Sequence, residues 1–206
     1  MNTMHESPLI HVVDDDEGMR KSLCWLINSV GLECRAHVSA DAFMAGFNDK
    51  RPGCLLLDIR MPGLSGLDLQ QVLQRLNSSL PVIFLTGHGD VPMAARAFKA
   101  GAFDFLEKPC NDQILLDRVQ EAVAEHRRLL AELAQMAELQ QRIETLTERE
   151  RQVADRVSCG MRNKEIAADL GISQKTVELH RHNVMEKMQV NNVAALAQIW
   201  AQTERL

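Results

Sequence analysis

The sequence predicts an α/β domain built on a parallel sheet, followed by a long helix and a small all-α domain. Three observations carry that prediction. Between Leu9 and Leu106, short apolar runs alternate with helical stretches, the pattern of βαβ crossovers. From Cys110 to Cys159 there is no Gly or Pro, and the span from Asp112 to about Glu144 is rich in Ala, Leu, Glu, Gln and Arg, all strong helix formers. From Thr147 onward, capping residues and glycines recur at the spacing of a short-helix bundle.

Composition bounds the function. The 206 residues are 46% apolar and 25% charged, the balance of a globular chain long enough for two domains. No apolar run is long enough to cross a bilayer, and Met1 to Pro8 carry no apolar signal region, so a cytoplasmic protein without membrane partners is expected. The five cysteines are dispersed, with no C-x-x-C pair, and read as free, mostly buried thiols. The net charge of −5 comes from the part preceding residue 145; the remainder is near neutral. That remainder is no basic patch, so nucleic-acid binding has to be argued from motif.

Leu9 to Val13 is an apolar run ending in Asp14, Asp15 and Asp16, and Leu23, Leu26, Ile27 and Val30 mark the helix after it. Gly31 closes that helix, a weak strand covers 32–38, and a second helix spans about 39–47. Cys54 to Leu57 has no polar alternation, as suits a strand covered on both faces; Asp58 stands at its carboxyl end, before the chain breaker Pro62-Gly63. A helix over 67–76 precedes a strand over 81–85 that ends at Thr86. A helix over 92–100 precedes a strand over 103–106, finished by Lys108 and Pro109.

In a parallel sheet these strand ends face one way, at the edge where ligands bind in open α/β folds. Asp14, Asp15, Asp58, Thr86 and Lys108 therefore converge. Taken singly, each is an ordinary turn residue; the set is not. Three neighbouring carboxylates repel one another unless a cation is bound, and hard oxygen donors suit Mg²⁺.

Val12, Val13, Asp14 and Asp15, Asp58 before Met61-Pro62-Gly63, Thr86, and Lys108-Pro109 together resemble a response-regulator receiver domain. The resemblance implies a flavodoxin-like sheet of order 2-1-3-4-5, with Asp58 as the phosphoacceptor. It implies Asp15, Asp58 and the backbone carbonyl of Arg60 as Mg²⁺ ligands, with Asp14 acting partly through water. Lys108 would pair with the acyl phosphate and Thr86 would sense it. Phe105 matches the family's switch aromatic, with ordinary core packing an equal alternative. Asp16 has no family role and reads as a helix N-terminal acid. Arg60 and His88 flank the site and are expected to tune phosphate lifetime.

The long helix carries an apolar stripe through Leu116, Val119, Val123, Leu129, Leu133, Met136, Leu139, Ile143 and Leu146, suited either to a second copy or to the chain's own domains. Thr147 with Glu150 forms a capping box, Asn163 caps a helix stopped by Gly171, and Ser173 caps another from Gln174 to about Met188. A last helix over about 193–203 closes a small core. Leu146 to Glu150, Asn163 to Ala167, Ser173, Thr176, Val177, His180 and Met188 resemble a LuxR-type helix-turn-helix. With the receiver ahead of it, the chain resembles the FixJ branch of the NarL/FixJ response regulators. The expected division is a receiver over 1–125, a helical linker over 126–144 and a DNA-binding domain over 145–206.

By that analogy Thr176, Glu178, Leu179 and His182 face the major groove, and Lys164, Lys175, Arg181 and Asn183 are candidates for phosphate or base contacts. Glu178 is suited to accept from a cytosine amino group. The expected function is a phosphorylation-gated transcription factor, not an enzyme beyond its own phosphorylation and dephosphorylation. Its expected partners are a sensor histidine kinase, promoter DNA, RNA polymerase and a second copy of itself. The competing readings are a Mg²⁺-dependent phosphohydrolase using the acidic turn, and a DNA-binding regulator indifferent to phosphate.

Overall fold

The computed structural model describes residues 7–48, 50–87 and 91–203, the side chains as far as Ala201. Five parallel strands form one sheet in the order β2-β1-β3-β4-β5: β1 (Leu9–Val13), β2 (Glu33–His37), β3 (Gly53–Asp58), β4 (Val82–Thr86) and β5 (Asp104–Glu107). This is the flavodoxin-like order expected of the sequence.

Strands β1, β3 and β4 are buried along their whole length because helices cover both faces. The period of two sorts their side chains. Ile10, Val12, Cys54, Leu56, Ile83 and Leu85 pack with α1 (Glu17–Ser29) and the first turns of α5 (Asp112–Glu144). Val13, Leu55, Leu57, Val82 and Phe84 pack on the other face, where α2 (Ala40–Met44), α3 (Gly66–Arg75) and α4 (Val91–Lys99) contribute Phe43, Leu69, Leu73 and Ala97. Asp16 caps α1 by accepting from the Met19 N–H at 2.8 Å, the local role read for it. Helix α2 is shorter than expected; it is capped by Ser39 and ends at Met44, and Phe47 packs beyond its end against Phe43.

The cysteines are a correction. Cys24 of α1 and Cys34 of β2 are joined in a disulfide with a Cα–Cα distance of 5.3 Å, whereas Cys54, Cys110 and Cys159 are free. The turn at Val30–Leu32 brings α1 back beside β2, so the two residues meet although nothing in their spacing announces it.

The chain divides into two compact units, Met1–Ala131 and Glu132–Leu206. In the second, Leu139, Ile143 and Leu146 join a core made by α6 (Glu148–Ser158), α7 (Asn163–Leu170), α8 (Gln174–Lys187) and α9 (Val193–Thr203). The Thr147–Glu150 capping box forms. Helix α7 starts one residue early, with Glu165 accepting from the Arg162 N–H at 2.7 Å, and Gly171 supplies the left-handed C-cap at φ 66°. The α7–α8 turn of Gly171, Ile172 and Ser173 is that of a helix-turn-helix, with Val177, Val184 and Met188 in the core.

Candidate functional site

The carboxyl edge of the sheet brings Asp14, Asp58 and Lys108 together. Asp58 is the last residue of β3, Asp14 follows β1 and Lys108 follows β5, so the parallel sheet places three residues far apart in sequence on one edge. The Lys108 Nζ donates to Asp14 Oδ2 at 2.6 Å and to Asp58 Oδ1 at 2.9 Å. Both carboxylates are almost fully buried. Burial pulls the Lys108 ammonium down, but its hydrogen bonds to Asp14 and Asp58, with their charge, outweigh burial and hold its pKa above the ordinary lysine value. It is a fixed cation between two acids.

The remaining carboxylate oxygens are held by main chain. Asp58 Oδ2 accepts from the Arg60 N–H at 3.0 Å, and Asp14 Oδ1 accepts from the Asp16 N–H at 2.8 Å. Gly66 makes the first of these loops possible: a Cβ there would lie 2.3 Å from the Asp58 carbonyl oxygen, so any other residue would push the β3–α3 connection off the site. Arg20, one turn into α1, donates to the Asp14 carbonyl at 2.8 Å and ties that helix to the edge. Arg20 and Gly66 were not read from the sequence. The signal for Arg20 was its place one turn after the N-cap; for Gly66 there was only its position at a helix start.

The other expected residues distribute as follows. Thr86 ends β4, buried, and its carbonyl accepts from the Lys108 N–H at 2.8 Å, which links the residue read as sensor to the lysine through main chain. Phe105 of β5 is half-buried, its ring centroid 6.5 Å from that of Phe84. Asp15 and Arg60 are exposed. Lys108 joins Asp14 to Asp58, and among the described residues no three His, Cys, Asp or Glu side chains are grouped closely enough to hold a metal by themselves. His88 lies outside the described residues.

On α8, Lys175, Glu178, Leu179 and His182 are exposed at helical spacing, opposite the buried Val177 and Val184, and so share one solvent face. Leu179, an apolar side chain, is 58% exposed on that face. Lys164 is exposed on α7. Thr176 and Asn183 are half-buried, and the Thr176 N–H and hydroxyl both meet Ser173 Oγ at the N-cap. Arg181 is half-buried and, with Val153, Val157, Val184, Met185 and Leu196, lines a small apolar cavity. Lys175, Glu178, Leu179 and His182 thus share one exposed face of α8, with Thr176, Arg181 and Asn183 half-buried on the same helix.

Comparison with known proteins agrees with both halves. The family described as response regulator receiver domain matches residues 10–120, and that described as bacterial regulatory proteins, luxR family, matches residues 144–200. The chain is 44% identical over 190 residues to the transcriptional regulatory protein FixJ of Rhizobium meliloti (strain 1021), covering 92% of this chain and 93% of that one. It is 46% identical to nodulation protein W of Bradyrhizobium diazoefficiens, covering 91% and 83%. The structure of the response regulator StyR superposes with a TM-score of 0.91 at 39% identity, covering 95% of this chain and 99% of that one.

Proposed function

Given that the chain belongs to the FixJ-like two-component response regulators, a receiver domain followed by a LuxR-type DNA-binding domain, we propose that phosphorylation of Asp58 switches its binding to promoter DNA. The receiver domain implies a histidine kinase as partner and the LuxR-type domain implies DNA. The observation that carries the finer reading is the Lys108 ammonium held between the Asp14 and Asp58 carboxylates at the sheet edge.

Two acids share one lysine there, and the surplus negative charge suits a second cation. Asp14, Asp15, Asp58 and the Arg60 backbone carbonyl offer only hard oxygen donors, the type that Mg²⁺ takes, and binding the ion would draw Asp15 toward the Asp14–Asp58 pair. Mg²⁺ would neutralise the oxygens of an incoming phosphoryl group. The chain's own groups do the rest. Asp58 Oδ1 or Oδ2 is the nucleophile, fixed in place by Lys108 and by the Arg60 N–H. After transfer, about −1.5 to −2 of charge stands where −1 stood, and Lys108 moves its pairing to the acyl phosphate. Thr86, whose carbonyl is bonded to the Lys108 N–H, donates its hydroxyl to the new phosphate oxygens, and Phe105 takes the space this vacates.

In the second domain, α8 enters the major groove with Lys175 toward phosphate and Glu178 toward a cytosine amino group. A near-neutral module makes few phosphate contacts, so a single copy binds weakly and two linked copies on an inverted repeat gain effective concentration. Homodimerisation is therefore the step that phosphorylation favours, and RNA polymerase is recruited or blocked by the bound pair. The protein acts in the cytoplasm.

Incubation with acetyl phosphate tests the chemistry. The wild type is expected to gain one acid-stable, base-labile phosphoryl group in a Mg²⁺-dependent manner, and Asp58→Ala none. Labelling that persists in Asp58→Ala would move the acceptor elsewhere.

A further inference from the structure

The Cys24–Cys34 disulfide is out of keeping with the proposed cytoplasmic setting. A cytoplasmic regulator is held reduced, and disulfides in that compartment are transient or redox-sensing. Both residues are half-buried rather than sealed in the core, so small oxidants and dithiols reach them. The fold also selects this pair. The Cα–Cα distance of 5.3 Å lies in the range that a disulfide spans without moving backbone. The other thiols are poor candidates: Cys54 is buried inside β3 and Cys159 stands exposed in the other unit. Burial raises the thiol pKa of Cys110, and that of Cys54 still further.

We infer that Cys24 and Cys34 form a reversible oxidation site in which closing the disulfide fastens helix α1 to the edge strand β2. It rests on the proposed cytoplasmic setting, where the dithiol is the resting form. The natural oxidant class is a peroxide. One thiol gives up its proton and, as thiolate, takes an OH from hydrogen peroxide as the O–O bond breaks; the sulfenic acid forms and the leaving hydroxide takes the released proton to become water, as does the hydroxide that leaves in the next step. The second thiolate attacks that sulfur; the S–S bond forms, the S–O bond breaks and a second water leaves, so two thiols and one peroxide give one disulfide and two waters. A dithiol reverses the step by exchange through a mixed disulfide.

Helix α1 is well placed to carry the result. Its Arg20 holds the Asp14 carbonyl, and its Met19, Leu23, Trp25 and Leu26 wall a cavity of about 270 Å³ whose other wall includes Lys108 and Cys110. Trp25, next to Cys24, is 74% exposed. Restraining α1 therefore restrains one wall of the cavity that reaches the phosphoacceptor edge.

The test is thiol counting by maleimide mass shift on the full chain, reduced and then treated with hydrogen peroxide. The expected result is loss of two of five thiols, mapped by peptide mass to Cys24 and Cys34 and restored by dithiothreitol. In Cys24→Ser or Cys34→Ser no paired loss occurs. Hydrogen exchange at the amides of 17–29 should slow by on the order of tenfold in the oxidised form. Oxidation mapping to Cys110 or Cys159, five thiols surviving, or paired loss without slower exchange overturns the inference. Acetyl phosphate labelling of the same samples separates the two readings. Pairing without Asp58 labelling would overturn the regulator reading alone, and labelling without pairing this one alone.

Discussion

Two nearly buried carboxylate–lysine clusters, one in each unit, use the same chemistry to opposite ends. In the second unit Glu150 accepts from Lys187 Nζ at 2.6 Å and from the Thr147 N–H at 2.8 Å, and Lys187 also donates to the Thr145 carbonyl at 3.0 Å. One acid meets one base and a helix N-terminus, so the cluster is closed and structural. In the receiver one base meets two acids, Asp14 and Asp58, and the charge does not balance. An ion pair is therefore no sign of function; an unbalanced one at a strand edge is.

Breaking the unbalanced cluster should have the larger effect. Lys108→Ala is expected to cut the rate of Asp58 labelling by on the order of a thousandfold, because the two carboxylates then face the incoming phosphoryl group without their cation. Acetyl phosphate kinetics would measure it, and a change of less than tenfold would show that Lys108 is only structural.

Acid sharpens the contrast next. Burial, with the charges of His37, Arg35 and Arg51, lowers His11 to about 4, and its Nδ1 lies 3.0 Å from His37 Nε2. Between pH 6.5 and about 4 the unfolded chain takes up a proton that the folded receiver refuses, so stability falls with pH in that window, by up to about 3 kcal/mol. Burial alone would raise Glu150, but hydrogen bonds from Lys187 and Thr147 outweigh it and hold the carboxyl at about 2. That contribution is present above pH 4.5 and is lost only as pH falls toward 2. Thermal melts at pH 7 and pH 5 should therefore weaken the receiver first; His11→Gln should flatten the receiver's dependence, and an unchanged slope would remove His11 from the account.

Glu150→Ala should cost the second unit about 2 kcal/mol through the lost cap and lysine pair, with Asp58 labelling unchanged. Denaturant melts followed by Trp200, whose Nε1 donates to Asp155 at 2.7 Å in that unit, would read it. The smallest effect concerns recognition. Glu178→Gln should relax base preference at one operator position by about 1 kcal/mol, whereas Lys175→Ala should weaken all sites alike. A selection of bound sequences distinguishes the two, and unaltered preference in Glu178→Gln would place that residue outside the groove.

What was legible in the sequence was whatever local pattern dictates. Strand ends, caps and the α7–α8 turn could be read because apolar runs, Pro62-Gly63, Thr147 with Glu150, and Gly171 act within a few residues. The meeting of Asp14, Asp58 and Lys108 followed once the strands were taken as parallel. What could not be read depends on side chains crossing between elements. The Cys24–Cys34 bond needs α1 laid beside β2. His126 of α5, buried and accepting from the Gly53 N–H at 3.1 Å, depends on the same kind of packing. The small cavity that Arg181 lines between α6, α8 and α9 likewise depends on how those helices pack, which helical spacing alone does not reveal.

The most direct test of phosphorylation-gated DNA binding is sedimentation mass together with promoter-fragment affinity, measured with and without acetyl phosphate and Mg²⁺, for wild type and Asp58→Ala. The wild type alone is expected to gain mass toward a dimer and to bind more tightly when phosphorylated. Equal affinity in all four samples would contradict phosphorylation gating and identify a regulator that binds DNA without regard to phosphate.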